Sequence, residues 1–310
     1  MRTHCHRRPP AVTMRSHYKA WEGDMGVEYA VNGDVRIAYE TFGTAGEPLL
    51  LVLGLDYQMV WWPDAFCERL VEAGYHVARY DNRDTGLSTH FPQPADGNPW
   101  RALLGRTRPL YTIADMAADG LAVMDALGWP QAHVLGGTSA IAQALALLHP
   151  GRVRGLTLCM SSPATAGVLQ TLRYLKFGIF REFRKLPKAT TPEQEIDNLV
   201  AIYRAQASPG YPFPEKWVRE AAMLSHTRAP RDPRTTQRHL AAGRAVKLPP
   251  LSTITAPTLV VSGADDPMLK PSAGRHLAAQ ITGAQFVEYP GVGHDWPEGI
   301  WDDVIARMPR

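Results

Sequence analysis

Residues 132–150 read AHVLGGTSAIAQALALLHP: Ala132 to Leu135, the glycine pair Gly136-Gly137, the hydroxyl pair Thr138-Ser139, then an alanine- and leucine-rich run that stops at His149-Pro150. The first part has the length and apolar character of a strand. The last has helical spacing, and the proline bars its continuation. A strand that turns sharply into a helix with a hydroxyl at the bend is how a nucleophile elbow is built. The bend holds the side chain clear of the sheet, and small neighbours let the backbone pass close by. The usual G-x-S-x-G pattern is not present here.

Outward from this stretch, the chain alternates strand and helix patterns. Glu28 to Val31 and Val35 to Phe42 read as a hairpin turning at Asn32-Gly33. Leu49 to Leu53 is continuously apolar, as a strand covered on both faces requires. Asp64 is positioned to cap a helix that runs to about Ala73, with Gly74 beyond it. His76 to Tyr80 is a further strand. Thr112 and Asp115 have capping-box spacing ahead of a helix toward Leu127. Strands follow at 153–159, 258–262 and 285–289, and helices at 272–281 and 300–308. Such alternation predicts a mostly parallel sheet with helices on both faces, an α/β fold.

The rhythm breaks at residues 161–249, where helical segments (168–184, 192–207, 215–224) and proline-rich connectors carry a concentration of aromatics. The expectation is an inserted helical cap on a core of residues 27–160 and 250–310. Most of the aromatics would pack the insertion, and a few would line a pocket beneath it. Residues 1–26 are basic, contain Pro9-Pro10 and lack the apolar stretch of a secretory signal, so a disordered tail is expected. Three adjacent residues, His4-Cys5-His6, cannot all aim at one ion from a regular backbone, and no metal or organic cofactor is expected.

Composition narrows the function classes. A net charge of +3 with scattered arginines argues against nucleic acid, and no apolar run approaches a membrane span. Cys5, Cys67 and Cys159 are odd in number and far apart, which suits a reducing cytoplasm. The expected partner is a small apolar molecule.

Two further segments carry chemistry. Gly263-Ala264-Asp265-Asp266-Pro267 places carboxylates past the end of one strand, and Gly291-Val292-Gly293-His294-Asp295 places an imidazole after the next. A carboxylate that orients a histidine, and a histidine that deprotonates a hydroxyl, supply two thirds of an activated nucleophile. The chain order of hydroxyl, acid and histidine also fits. Together with Leu49 to Leu55 (LLLVLGL) and Arg79 to Ser88 (RYDNRDTGLS), these segments resemble the α/β-hydrolases. The nearest resemblance is to the actinobacterial esterases that include aclacinomycin methylesterase. It covers residues 27–305 and is weakest in the cap. It implies Asp266 as the acid, His294 as the base, and the Leu55 N–H as one oxyanion donor, the other coming from the residue after the nucleophile.

The chain departs from that family at the nucleophile, where about two small residues are missing. Three readings stand. Thr138 attacks, with Gly136 and Ala140 meeting the steric demand but a β-branched side chain on a strained backbone. Alternatively Ser139 attacks, with Ile141 crowding the following position. In the third, neither attacks, and the site is a repurposed cyclase or lyase, or only binds a ligand. An aspartate nucleophile is disfavoured, since no Asp lies between Gly136 and Ala142. Asp56, beside Leu55, reads as a solvated loop residue; turned into the pocket it would oppose developing negative charge. Met59, Trp61 and Trp62 fit either a pocket wall or packing under the cap. The expected activity is hydrolysis of an ester or lactone of an apolar small molecule through an acyl-enzyme.

Overall fold

The computed structural model describes residues 26–92 and 98–310. The expected tail, with its His4-Cys5-His6 triplet, lies outside the described residues except for Gly26. One sheet is built from β1 (Glu28–Asn32), β2 (Val35–Phe42), β3 (Glu47–Leu53), β4 (Tyr75–Tyr80), β5 (Ala132–Gly137), β6 (Val153–Cys159), β7 (Thr258–Gly263) and β8 (Gln285–Tyr289). Their spatial order is β1-β2-β4-β3-β5-β6-β7-β8. The β1–β2 hairpin and the β2–β4 pairing are antiparallel, and every pairing from β4 onward is parallel. The hairpin turns one residue later than its sequence suggests: Asn32 pairs with Val35, which leaves Gly33-Asp34 as the turn.

The continuous apolar runs are explained by the two faces of the sheet. Leu50, Val52, Val134 and Val260 point to one side, whereas Leu49, Leu51, Leu135 and Val261 point to the other. Successive strand residues face opposite ways, so a strand buried on both faces must be apolar throughout. The helices in chain order are α1 (Asp64–Glu72), α2 (Pro99–Leu103), α3 (Ile113–Ala126) and α4 (Ala140–Leu148). Between β6 and β7 come α5 (Val168–Tyr174), α6 (Gly178–Phe183), α7 (Pro192–Gln206), α8 (Glu215–Arg228) and α9 (Pro233–Ala245); α10 (Ser272–Ala279) and α11 (Trp301–Arg307) follow. Met116 and Met124 of α3, Leu145 of α4 and Leu277 of α10 cover one face. Phe66 and Leu70 of α1 with Val304 of α11 cover the other. Each such side chain contributes about 1.5–3 kcal/mol on burial.

Helix starts follow their caps. The Thr112 hydroxyl accepts from the Asp115 N–H and the Asp115 carboxylate accepts from the Thr112 N–H, the reciprocal box that opens α3. In α1 the capping position falls to Pro63, and Asp64 lies in the first turn, where its charge faces the positive end of the helix. The segment expected as one helix over 168–184 is two, because Leu175 leaves helical geometry to bridge Leu269. Two helices escaped the sequence pattern altogether. One is α2, capped by Asn98; the other is α9, capped by Asp232 with proline in its first turn.

The helices between β6 and β7 sit on the loop after β3 through a third apolar cluster. Met59, Val60 and Trp61 pack against α7 and α8, and Trp61 stacks on Tyr203 with ring centroids 5.4 Å apart. Ion pairs fasten the same region at three points: Arg228 to Asp81 at 2.5 Å, Arg231 to Asp56 at 2.5 Å, and Arg238 to Asp84. Both partners of the first pair are fully buried, and removing one would strand the other charge at a cost of roughly 3–5 kcal/mol. Asp81 and Asp84 belong to the RYDNRDTGLS segment, so its aspartates are structural anchors. Asp81 also accepts from the Met59 and Leu87 N–H groups, and Asp84 accepts from the Tyr111 hydroxyl.

Candidate active site

The strands β3, β5, β7 and β8 run parallel and end on one edge of the sheet, so the loops that follow them converge there. Open α/β sheets bind ligands at this carboxyl edge. The β5 exit turns within a single residue. Thr138 has φ of 52°, its N–H bonds to the Cys159 carbonyl, and α4 begins two positions later. A left-handed backbone at a β-branched residue costs on the order of 1–3 kcal/mol. Gly54 makes room for this turn: a Cβ there would stand 2.6 Å from the Thr138 carbonyl oxygen.

The two hydroxyls of the turn have separate fates. Thr138 is exposed to a cavity, and its Oγ1 lies 3.0 Å from His294 Nε2. Ser139 is fully buried, and its Oγ accepts from the Ala142 N–H as the N-cap of α4. The helix α4 starts two residues after Thr138, and Ser139 between them is its cap. The Ser139 N–H in turn donates to Ser161 Oγ at 3.2 Å, while the Ser161 hydroxyl donates to the Cys159 carbonyl.

His294 Nδ1 is 2.6 Å from Asp266 Oδ2. The other carboxylate oxygen, Oδ1, accepts from the Met268 and Leu269 N–H groups at 2.6 and 2.8 Å. The carboxylate is thereby fixed at both oxygens, and the ring it meets is oriented with Nε2 toward Thr138. Asp265 turns the other way: its carboxylate accepts from the Gly291 N–H, and its own N–H bonds to the Val292 carbonyl. The histidine loop is also gripped by residues 206–208. The His294 N–H donates to the Gln206 carbonyl at 2.8 Å, and the Gly293 N–H to Ser208 Oγ at 2.8 Å. Glycine is required at 293 because a Cβ would lie 2.5 Å from the Gln206 oxygen. Asp295 accepts from the Ser208 hydroxyl, and burial raises its pKa above the ordinary carboxylate value.

Leu55 follows β3 and lines the same cavity, and its N–H has no hydrogen-bond partner among the described residues. Asp56 corrects the sequence expectation of a solvated loop residue. Its side chain is only 7% exposed and is held by Arg231 and, at 2.6 Å, by the Thr236 hydroxyl. The backbone at Asp56 is left-handed, with φ of 65°, and its N–H donates to His239 Nδ1 at 3.3 Å. His239 Nε2 is 2.9 Å from the Arg83 carbonyl, which requires the proton on Nε2 and leaves Nδ1 as acceptor. Full burial lowers the His239 pKa, so this neutral tautomer is the stable form. Arg231, Thr236 and His239 come from a stretch where the sequence showed no periodic pattern. Asp232-Pro233, a helix-start signal, was the available clue.

The cavity has a volume of about 1210 Å³ and reaches from Thr138 and His294 up into the cap. Its walls include Trp61, Trp100, Phe177, Phe180 and Phe183, while Met59 and Trp62 are committed to packing. Tyr57 also lines it; burial raises its hydroxyl to a pKa of about 12, so it donates to Gln206 Oε1 as the neutral phenol. Among the described residues, no group of three or more His, Cys, Asp or Glu side chains is placed to hold a metal ion. No helix there is long and apolar enough to cross a membrane.

Comparison with known proteins bears on this arrangement. Residues 48–296 match the family model described as the α/β hydrolase fold. The rhodomycin D methylesterase of Streptomyces peucetius is 30% identical, the alignment covering 92% of this chain and 97% of the relative. The rhodomycin D methylesterase of Streptomyces sp. strain C5 is also 30% identical, over 85% and 90% of the two chains. Among solved structures, an esterase from Rhodococcus sp. ECU1013 superposes with a TM-score of 0.66, covering 92% of this chain and 100% of that one at 21% identity. The sheet order, the turn at Thr138 and the sequence match agree: this chain belongs to the α/β-hydrolase fold family.

Proposed function

We propose that the protein hydrolyses a carboxylic ester of a large, mainly apolar small molecule, with Thr138 as nucleophile, His294 as general base and Asp266 as the carboxylate that orients it. The observation that carries this reading is the unbroken hydrogen-bonded chain from Thr138 Oγ1 through both nitrogens of His294 to Asp266, opening on the apolar cavity. Its volume, above the usual range of small-molecule sites, suits an extended ring system more than a short-chain ester. The likeness to methylesterases makes a methyl ester the first candidate. The helical segment 161–249 serves in this reading as the unit that shapes the pocket.

Thr138 transfers its hydroxyl proton to His294 Nε2 while its oxygen attacks the ester carbonyl. The Leu55 and Ser139 N–H groups face the resulting oxyanion, His294 returns the proton to the departing alcohol, and water reverses the sequence on the acyl-enzyme. Asp266 keeps the imidazole in the tautomer with its proton on Nδ1. For the Ser139 N–H to serve, the Ser161 hydroxyl must give way to substrate.

The test pairs a nitrophenyl ester assay with a fluorophosphonate probe on three variants. Thr138→Ala and His294→Ala are expected to lose turnover by roughly 10³-fold or more, together with the covalent adduct at Thr138. Ser139→Ala keeps the adduct and loses only its cap, about 1 kcal/mol of stability. An adduct that vanished in Ser139→Ala and persisted in Thr138→Ala would overturn the assignment. A second reading, proton-transfer chemistry such as a cyclase or lyase step, is favoured by one observation, the occupied Ser139 N–H. It predicts a dead His294→Ala beside an active Thr138→Ala.

A further inference from the structure

The charges that line the cavity are not all paired. Three of its carboxylates face guanidinium groups: Asp56 faces Arg231, Asp84 faces Arg238, and Asp232 faces Arg234 and Arg238, while Glu195 accepts from the Arg231 backbone N–H and lies 3.0 Å from His226 Nδ1. Arg244, near the end of α9, is different. Its guanidinium donates to the Ala166 carbonyl at 2.7 Å and to Thr171 Oγ1 at 2.8 Å, both neutral acceptors on the α5 side. It has no carboxylate partner among the described residues, and it lines the cavity together with Thr171. Burial alone acts on it, lowering its pKa, with no opposing charge to offset the loss of water. Arg184 and Lys188, exposed on the same cavity, also lack a carboxylate partner among the described residues.

A half-buried cation held only by neutral groups costs free energy that a ligand can recover. Two neutral acceptors leave three guanidinium N–H groups, in the planar fork that matches a carboxylate. We propose that Arg244 binds an acidic group, a carboxylate, on the substrate, so that the natural ester is an amphipathic molecule: an apolar body with its scissile ester at Thr138 and an acid at the α5–α9 wall. This rests on the ester-hydrolase reading of the same cavity. Arg184 and Lys188 add the attractive field that draws such an anion in.

The experiment compares 4-nitrophenyl esters whose apolar acyl chains, over a series of lengths, end in either a carboxylate or a carboxamide. For at least one length, wild-type KM should be about tenfold or more lower for the carboxylate, the gain of one charge-assisted pair. Arg244→Gln, which keeps an amide donor for Thr171 and Ala166, should erase this preference. It should leave kcat and the carboxamide KM within a few-fold, and Arg244→Lys should retain part of the preference. Equal wild-type KM values at every length would overturn the proposal. So would an Arg244→Gln variant that raised both KM values alike, the mark of a purely structural role. If neither ester turned over, the hydrolase reading would be at fault. Calorimetric binding of the matching dicarboxylic acids and their monoamides would then read the Arg244 preference directly: retained affinity for the acid in wild type and its loss in Arg244→Gln support it, and equal affinities overturn it.

Discussion

The loops that carry Asp266 and His294 and the turn that carries Thr138 solve the same problem by opposite means. At Asp266 and His294, the proposed acid and base, position is set by redundancy. Both oxygens of Asp266 are occupied, Asp265 ties the two loops together, and the cap bonds the backbone at Gly293 and His294. At Thr138, the proposed nucleophile, position is set by strain: one residue at φ of 52° lies between a strand that ends at Gly137 and a helix that begins at Ala140. Redundant positioning tolerates loss of a single contact. Strained positioning stores free energy at the residue itself, where the surrounding fold must hold it.

Three measurements probe this contrast. Gly293→Ala should cost the most stability, because its Cβ would collide with the backbone carbonyls of Gln206 and Ala207 and neither can rotate away. A loss of about 1–3 kcal/mol in stability is expected, with a fall in kcat that exceeds any change in KM; chemical denaturation and steady-state kinetics would show it. An unchanged kcat would mean that residues 206–208 do not position His294. Thr138→Gly should move stability the other way. Relief of the left-handed backbone should gain about 1 kcal/mol while turnover disappears, so a variant less stable than wild type would contradict stored strain at the elbow.

The smallest effect concerns pH. His239 has a lowered pKa in the folded chain, so the unfolded chain takes up a proton first as pH falls below 6.5. Folding stability therefore declines with acidification below that point, by at most about 1.4 kcal/mol per pH unit for one histidine. His133 and His149 are lowered by burial in the same direction and share the slope. His239→Gln, which preserves a donor and an acceptor, should flatten the decline in part, as followed by denaturation between pH 7 and pH 5. A slope identical to wild type would show that His239 is not held neutral.

Legibility in the sequence followed the range of the interactions involved. The sheet could be read because a doubly covered strand has to be apolar, and the α3 cap because both of its halves lie three residues apart. Asp266 and His294 stood out through their places after strands. The elbow left its alternatives open because two adjacent hydroxyls stand at the bend, and only the close approach of Gly54 and the capping role of Ser139 separate them in space. Asp56 was misread for a related reason. The arginine that buries it lies 175 residues away, in a segment with no periodic signal. The α9 helix escaped notice too: its inward face carries Thr235, Gln237, Arg238 and His239, polar residues satisfied by partners distant in sequence.

The bonds from residues 206–208 to the backbone of Gly293 and His294 have a consequence for how caps can be exchanged. Elsewhere a pocket roof can be treated as a cartridge, replaced to change specificity while the catalytic floor stays as it was. Here the roof supplies part of the floor, since the carbonyl that receives the His294 N–H belongs to the last residue of α7. A transplanted roof would have to bring its own acceptor to that amide.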